Sequence, residues 1–171
     1  MRSHLKPLII ITMVEVVKIN EILINGGATI DILPIIMLKR FGKTLEDPIS
    51  NNIVVSDYSG KASRSQGMTT LDLIVGSRRR PTFFIVISSQ VSINMLLGRE
   101  WIHGIGAVPS TIHLKLFIWN EKGGLQVVNS NQKSYDSFYV SIAKKHERTM
   151  ALTTPFEIED SYYVNQREGN L

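Results

Sequence analysis

The sequence predicts an all-β domain that is closed and mostly antiparallel, with one or two short helices. Three observations favour this fold class. Short segments rich in Ile, Val, Leu, Thr and Phe recur along the chain, and clusters of Gly, Asn, Asp and Ser separate them. Two pairs of these segments are joined by short turn sequences, at Gly76-Ser77 and at residues 120–124, which is typical of β-hairpins.

Composition limits the chemistry that the chain can carry. It has 171 residues, 19 Lys and Arg against 15 Asp and Glu, and no Cys. The length suits one domain with a tail. The lack of Cys excludes thiol nucleophiles, thiolate zinc sites and disulfides, and it fits a reducing compartment. The formal charge of +4 is too small and too scattered to indicate nucleic-acid binding.

The candidate strands each combine apolar and β-branched residues with flanking turn residues. In chain order they are 8–17, 21–24, 52–56, 69–75, 82–88, 112–119 and 125–128. The first of them follows Arg2 and Lys6 and faintly resembles a signal peptide. Glu15 ends it, no small-residue cleavage site follows, and a membrane span needs ~20 apolar residues. We therefore expect a buried strand, an intracellular protein and no membrane partner.

Two short helices are predicted between the strands. The first covers residues 34–41, with Pro34 near its first turn, two basic residues in its last turn and Gly42 as its left-handed stop. The second covers residues 99–103 and is closed by Gly104. From about residue 129 the sequence becomes polar and loses any apolar period. The expected organisation is a domain over residues 1–130 and a loosely ordered linker or tail over 131–171.

Most chemical motifs are absent from the sequence. The four His residues are far apart and lack metal-ligand spacing, so no metal and no cofactor are expected. Gly104-Ile105-Gly106 lacks the third glycine of a dinucleotide loop. The run Arg78-Arg79-Arg80 lies in a predicted hairpin connection, where a solvated turn is the default interpretation.

One pair of elements is less ordinary. An apolar segment runs into Asn25, Gly26, Gly27 and Ala28. Alone, this segment would be explained by a two-residue hairpin turn, for which Asn-Gly is the usual signal. About seventy residues later a second apolar segment breaks at a glycine into a charged helix start, at Leu96, Leu97, Gly98 and Arg99. We expect the two elements to be adjacent, since both leave apolar strands that must share one core.

These motifs resemble those of retropepsin-like aspartic proteases, in particular the protease region of plant-type gypsy-class LTR retrotransposon gag-pol polyproteins. Residues 23–28 align with the family's apolar-apolar-Asp-(Ser/Thr/Gly)-Gly-Ala motif, and residues 96–102 with its second motif. The substrate-covering flap aligns with Asp57, Tyr58, Ser59 and Gly60. The resemblance implies a homodimer in which each chain donates one catalytic loop and a peptide or polyprotein substrate lies between them.

The sequence departs from the family at the catalytic residue, because Asn25 stands in the place of the aspartate. A carboxamide keeps the shape of a carboxylate but cannot act as a base. Asp31 is no ready substitute, and we expect it to cap the following helix or to pair with Arg99. Two functions remain open. One is an aspartic endopeptidase domain that is catalytically impaired, and the alternative is a non-catalytic β module for dimerisation or peptide binding.

Overall fold

The computed structural model describes residues 6–56, 62–88 and 92–131, which form strands β1 to β11, one 3-10 helix and one α-helix, α1. The strands are β1 Leu8–Val14, β2 Val17–Ile24, β3 Asp31–Pro34, β4 Val54–Ser56, β5 Ala62–Arg64, β6 Gly67–Val75, β7 Arg78–Ile87, β8 Met95–Leu97, β9 Val108–Ser110, β10 Lys115–Trp119 and β11 Leu125–Asn129. The 3-10 helix is Ile35–Phe41, and α1 is Arg99–Gly104.

Six strands close into a barrel in the order β1, β2, β8, β3, β7, β6, and β6 pairs back onto β1. Most neighbours are antiparallel, but β2 runs parallel to β8, and β3 runs parallel to β7. β8 therefore lies between β2 and β3, which are consecutive in the chain. The prediction of a closed, mostly antiparallel β domain is confirmed.

The barrel encloses the hydrophobic core because apolar residues alternate along its strands. In β6, for example, Leu71, Leu73 and Val75 are each at most 1% exposed, whereas the residues between them are not buried. Phe84 of β7 and Trp101 of α1 are the largest fully buried side chains among the described residues. Burying side chains of this size contributes roughly 1.5 to 3 kcal/mol each.

Two smaller sheets complete the described structure. β9, β10 and β11 form one sheet, whose Leu116 and Ile118 are fully buried against the barrel core. The end of this sheet is tied to β1, since the Ser130 hydroxyl and the Asn131 N–H both donate to the Ile9 carbonyl, at 2.9 and 2.7 Å. β4 and β5 pair antiparallel as a separate two-stranded sheet.

The predicted strand over residues 8–17 is wrong, because the chain turns at Glu15 and Val16 into a second strand. Glu15 adopts a positive φ of 54°, and its N–H donates to the Asp72 carbonyl at 2.8 Å. Its carboxylate in turn accepts the Asp72 N–H at 3.0 Å. These two bonds to β6 hold a tight turn that contains no glycine or asparagine. The sequence therefore carries no local signal for this turn.

Other boundaries also shift. Arg78 to Arg80 are part of β7 and not of a hairpin connection, because they pair with Leu73 to Val75 across the Gly76-Ser77 turn. The strand predicted over 112–119 begins only at Lys115, after a turn in which Leu114 has a φ of 52°. Strands β3, β5 and β9 were not among the predicted elements.

The predicted helices are present but differ in detail. The first is a 3-10 helix that ends at Gly42, whose φ of 66° confirms the expected left-handed stop. The second continues through Gly104, and the left-handed glycine that follows it is Gly106, with a φ of 65°. No helix in the described part of the chain has the length and apolar character needed to cross a membrane. The expected tail over 131–171 lies, apart from Asn131, outside the described residues.

Candidate active site

The Asn25 loop is a tight turn fixed at the end of β2. The Asn25 N–H donates to the Leu97 carbonyl of β8 at 2.9 Å, and the Asn25 carbonyl accepts the Ala28 N–H at 3.1 Å. The side-chain oxygen Oδ1 of Asn25 accepts the Gly27 N–H at 2.9 Å. Asn25 is half-buried, whereas Gly26 and Gly27 are exposed. The carboxamide is thus held at the surface by its own loop.

The two predicted motifs lie side by side, as the sequence led us to expect. Beyond the contact between Asn25 and Leu97, the Arg99 N–H donates to the Ala28 carbonyl at 2.8 Å. Because β8 lies between β2 and β3, the Asn25 loop is not the hairpin turn that Asn-Gly alone would suggest. The loop instead connects two barrel strands that flank the second motif.

Gly98 is where the two motifs come closest. A Cβ at this position would lie 2.8 Å from the Ala28 carbonyl oxygen and would overlap the Ile30 carbonyl oxygen. Both neighbours are main-chain atoms of the Asn25 loop and its continuation into β3, so neither can move aside as a flexible side chain could. Only glycine permits this approach.

Asp31 also lies at this junction between the Asn25 loop and Gly98. It is 1% exposed, and its Oδ1 accepts the Gly98 N–H at 2.6 Å. Both expected roles of Asp31 are wrong: the 3-10 helix has no side-chain cap, and the ion pairs of the described residues do not include one between Asp31 and Arg99. Asp31 is a buried acceptor that fixes the start of α1 against β3.

Burial controls the titration of Asp31. The pKa of Asp31 is raised from 3.8 to about 6, mainly because burial removes its hydration, and the nearby Glu100 carboxylate acts in the same direction. The N–H groups of Gly98 and Trp101 and the charge of Arg80 act in the opposite direction. The second oxygen, Oδ2, is buried and has no hydrogen-bond partner. Compared with water, this environment therefore favours the uncharged form of Asp31.

This gives a pH dependence of stability with a defined sign. The folded protein binds the Asp31 proton more tightly than the unfolded chain does. The contribution of this proton to the free energy of unfolding is therefore complete below about pH 4 and is lost as pH rises through about 6. The loss amounts to roughly 2 to 3 kcal/mol. In Asp31→Asn, we expect the free energy of urea unfolding to change less with pH between these values than it does in the unmodified chain. An unchanged slope in the variant would contradict this assignment.

Arg99 adds a side-chain contact between α1 and the Asn25 loop. Its Nη2 donates to the Thr29 hydroxyl at 2.9 Å, which ties α1 to the Asn25 loop through side chains as well as main chain. Thr29 and Arg99 line an open cleft together with Glu100 and His103. Glu100 also pairs with Arg80 of β7 at 3.5 Å. The described residues contain no group of three or more His, Asp or Glu that could hold a metal ion.

The predicted flap segment, Asp57, Tyr58, Ser59 and Gly60, lies outside the described residues. Its flanking strands are described, because β4 ends at Ser56 and β5 begins at Ala62. The two strands pair in register, with Ser56 opposite Ala62.

Sequence reasoning missed Asp31 as part of the junction, although a signal was present. Asp31 and Leu33 are two positions apart in an apolar run, so a strand places both on one face. Leu33 is fully buried, and Asp31 is buried with it. Reading residues 31–34 as a strand would have predicted a buried carboxylate that needs a donor.

The fold is that of the retropepsin-like acid proteases. Among solved structures, the retroviral protease-like domain of Ddi1 from Leishmania major matches with a TM-score of 0.57 and 15% identity, covering 74% of this chain and 95% of that one. EIAV protease, solved in complex with the inhibitor HBY-793, matches with a TM-score of 0.50 and 18% identity, covering 62% of this chain and 94% of that one. Comparisons with protein-family models and with curated protein sequences find no match.

Proposed function

We propose that the chain is a retropepsin-like aspartic endopeptidase domain from an LTR retrotransposon polyprotein, and that Asn25 leaves it without appreciable peptidase activity. The observation that carries the proposal is the position of Asn25. The residue lies at the end of β2 in a Gly-Gly-Ala turn, and its N–H is bonded to Leu97 of the second motif. The loop geometry supports Asn25 as the counterpart of the family aspartate.

The mechanism of the family needs two carboxylates that share one proton. One acts as the base that activates water, and the other donates a proton to the scissile carbonyl. The sequence holds a single copy of the motif, so two chains must pair to bring two such loops together. Two Asn25 side chains would supply hydrogen bonds to a peptide but no base and no acid.

Asp31 does not replace the missing carboxylate in this proposal. It is buried, and one of its oxygens is bonded to the Gly98 N–H. A general base must reach the water or substrate that it deprotonates, and Asp31 is only 1% exposed. Its role is to hold the two motifs together, with Gly98 as the point of contact.

The alternative is a non-catalytic module that binds peptides or assembles as a dimer. Exposed apolar side chains favour it, since Ile49 and Ile53 before β4 and Val54 within it are 73%, 38% and 55% exposed. Within the described residues β4 pairs only with β5, and apolar surface next to such a strand edge suits an extended peptide. In this function Asn25 would be a hydrogen-bonding residue.

The test is a cleavage assay with the freshly prepared full chain and a mixed peptide library at mildly acidic pH. We expect no cleavage that a statine-type inhibitor blocks, because the base is absent. Sedimentation at several concentrations and binding of the same peptides test the alternative, since a chain that neither dimerises nor binds peptide would contradict it. Inhibitor-sensitive cleavage by chain whose Asn25 is intact by mass spectrometry would overturn the proposal of an inactive protease.

A further inference from the structure

We propose that Asn25 is a site of spontaneous deamidation, and that its loop converts the carboxamide into the aspartate that the catalytic position lacks. The modification itself follows from the Asn25 loop, whatever the function of the chain. Its consequence for activity rests on the function proposed above. The chain would then carry a latent site, in which the aspartate forms as the chain ages and without the action of a second gene product.

The reaction balances without an oxidant or an added cofactor. The main-chain nitrogen of Gly26 loses its proton to hydroxide and attacks Cγ of Asn25, and the side-chain nitrogen leaves as ammonia. Water then opens the resulting succinimide. Hydrolysis at Cγ restores the main chain and gives aspartate, and hydrolysis at the main-chain carbonyl gives isoaspartate. The net change is uptake of one water and loss of one ammonia.

The loop offers little steric resistance to the attack. Gly26 is exposed, and a Cβ built on it would meet no atom within 4 Å. The absence of a side chain leaves its nitrogen unhindered, and glycine gives the main chain the freedom to bring that nitrogen toward Cγ. The sequence contains no other Asn followed by Gly.

The hydrogen bond within the loop favours the same step. Attack on Cγ places negative charge on Oδ1 of Asn25, and the Gly27 N–H already donates to that oxygen at 2.9 Å. A main-chain donor aimed at an oxygen where charge develops stabilises the transition state. The donor that shapes the turn thus also activates the carboxamide.

Two other asparagines provide internal controls. The side-chain oxygen of each also accepts a main-chain N–H two residues further on, but neither asparagine is followed by glycine. Asn51 Oδ1 accepts the Ile53 N–H at 3.0 Å, and Asn120 Oδ1 accepts the Lys122 N–H at 3.0 Å. Both are half-buried, as Asn25 is. Their following residues are Asn52 and Glu121, whose side chains hinder the attacking nitrogen.

The experiment ages the full chain at neutral and mildly alkaline pH and follows each asparagine by peptide mass spectrometry. We expect Asn25 to convert several-fold faster than Asn51 and Asn120, and faster at the higher pH. Gly26→Ala should slow conversion of Asn25 several-fold, and the open space around Gly26 lets that variant fold. Conversion of Asn25 no faster than that of the two controls would overturn the proposal.

Peptidase activity, measured on the same samples, tests the proposed function separately. Activity that rises with the aspartyl fraction, and not with the isoaspartyl fraction, supports the latent site. If Asn25 converts but neither the aged chain nor Asn25→Asp cleaves peptides, the modification stands and the catalytic assignment fails. If Asn25→Asp is active but Asn25 does not convert, the catalytic assignment stands and the latent site fails.

Discussion

If Asn25 occupies the catalytic position, as proposed above, Asn25→Asp is expected to give the chain measurable peptidase activity. The substitution restores a carboxylate at nearly the same volume, and general acid and base catalysis is worth about a hundredfold to ten-thousandfold in rate. The Gly27 N–H, which now bonds Oδ1 at 2.9 Å, would donate to the new carboxylate and favour its charged form. Cleavage of a mixed peptide library at mildly acidic pH measures the gain.

Two controls make this result specific. Asn25→Ala removes the side-chain hydrogen bond without adding a carboxylate, so it should remain inactive. A statine-type inhibitor should abolish the cleavage by Asn25→Asp. If fresh chain with an intact carboxamide cleaves peptides as well as Asn25→Asp does, Asn25 is not at the catalytic position and the motif alignment is wrong.

Gly98→Ala is expected to destabilise the fold by about 3 kcal/mol or more, at the upper end for steric overpacking. The added methyl group would overlap the Ile30 carbonyl and lie 2.8 Å from the Ala28 carbonyl. Relieving the overlap must separate the two motifs and weaken the bond from the Gly98 N–H to Asp31. The midpoint of urea unfolding measures the loss.

Gly26→Ala is the matched control for that experiment. It makes the same change in the same junction, at a position with no atom within 4 Å of the new methyl group. Its effect should stay within about 0.5 kcal/mol, as for most exposed substitutions. Equal unfolding midpoints for Gly98→Ala and Gly26→Ala would show that the contact at Gly98 does not hold the motifs together.

Much of the fold could be predicted from the sequence because its causes are local. The alternation of Leu71, Leu73 and Val75 with less buried residues is a property of the strand itself, and so is the Gly76-Ser77 turn that follows it. Gly42 ends its helix for a similar reason, since a left-handed residue suits glycine. The turn at Glu15 could not be predicted, because its positive φ is held by bonds to Asp72, which is distant in the chain.

The sequence was enough to single out Asn25 and Gly98 as candidate site residues and to show that a carboxylate is absent at position 25. Asn25 is a carboxamide whatever surrounds it, and the lack of a side chain at Gly26 is equally a property of the sequence. The role of Asp31, by contrast, depends on the folded barrel. Its burial depends on β3 lying between β7 and β8, and its partner is the Gly98 N–H, 67 positions away. Closing the barrel brings these groups together, because strands distant in sequence must pair to bury one core.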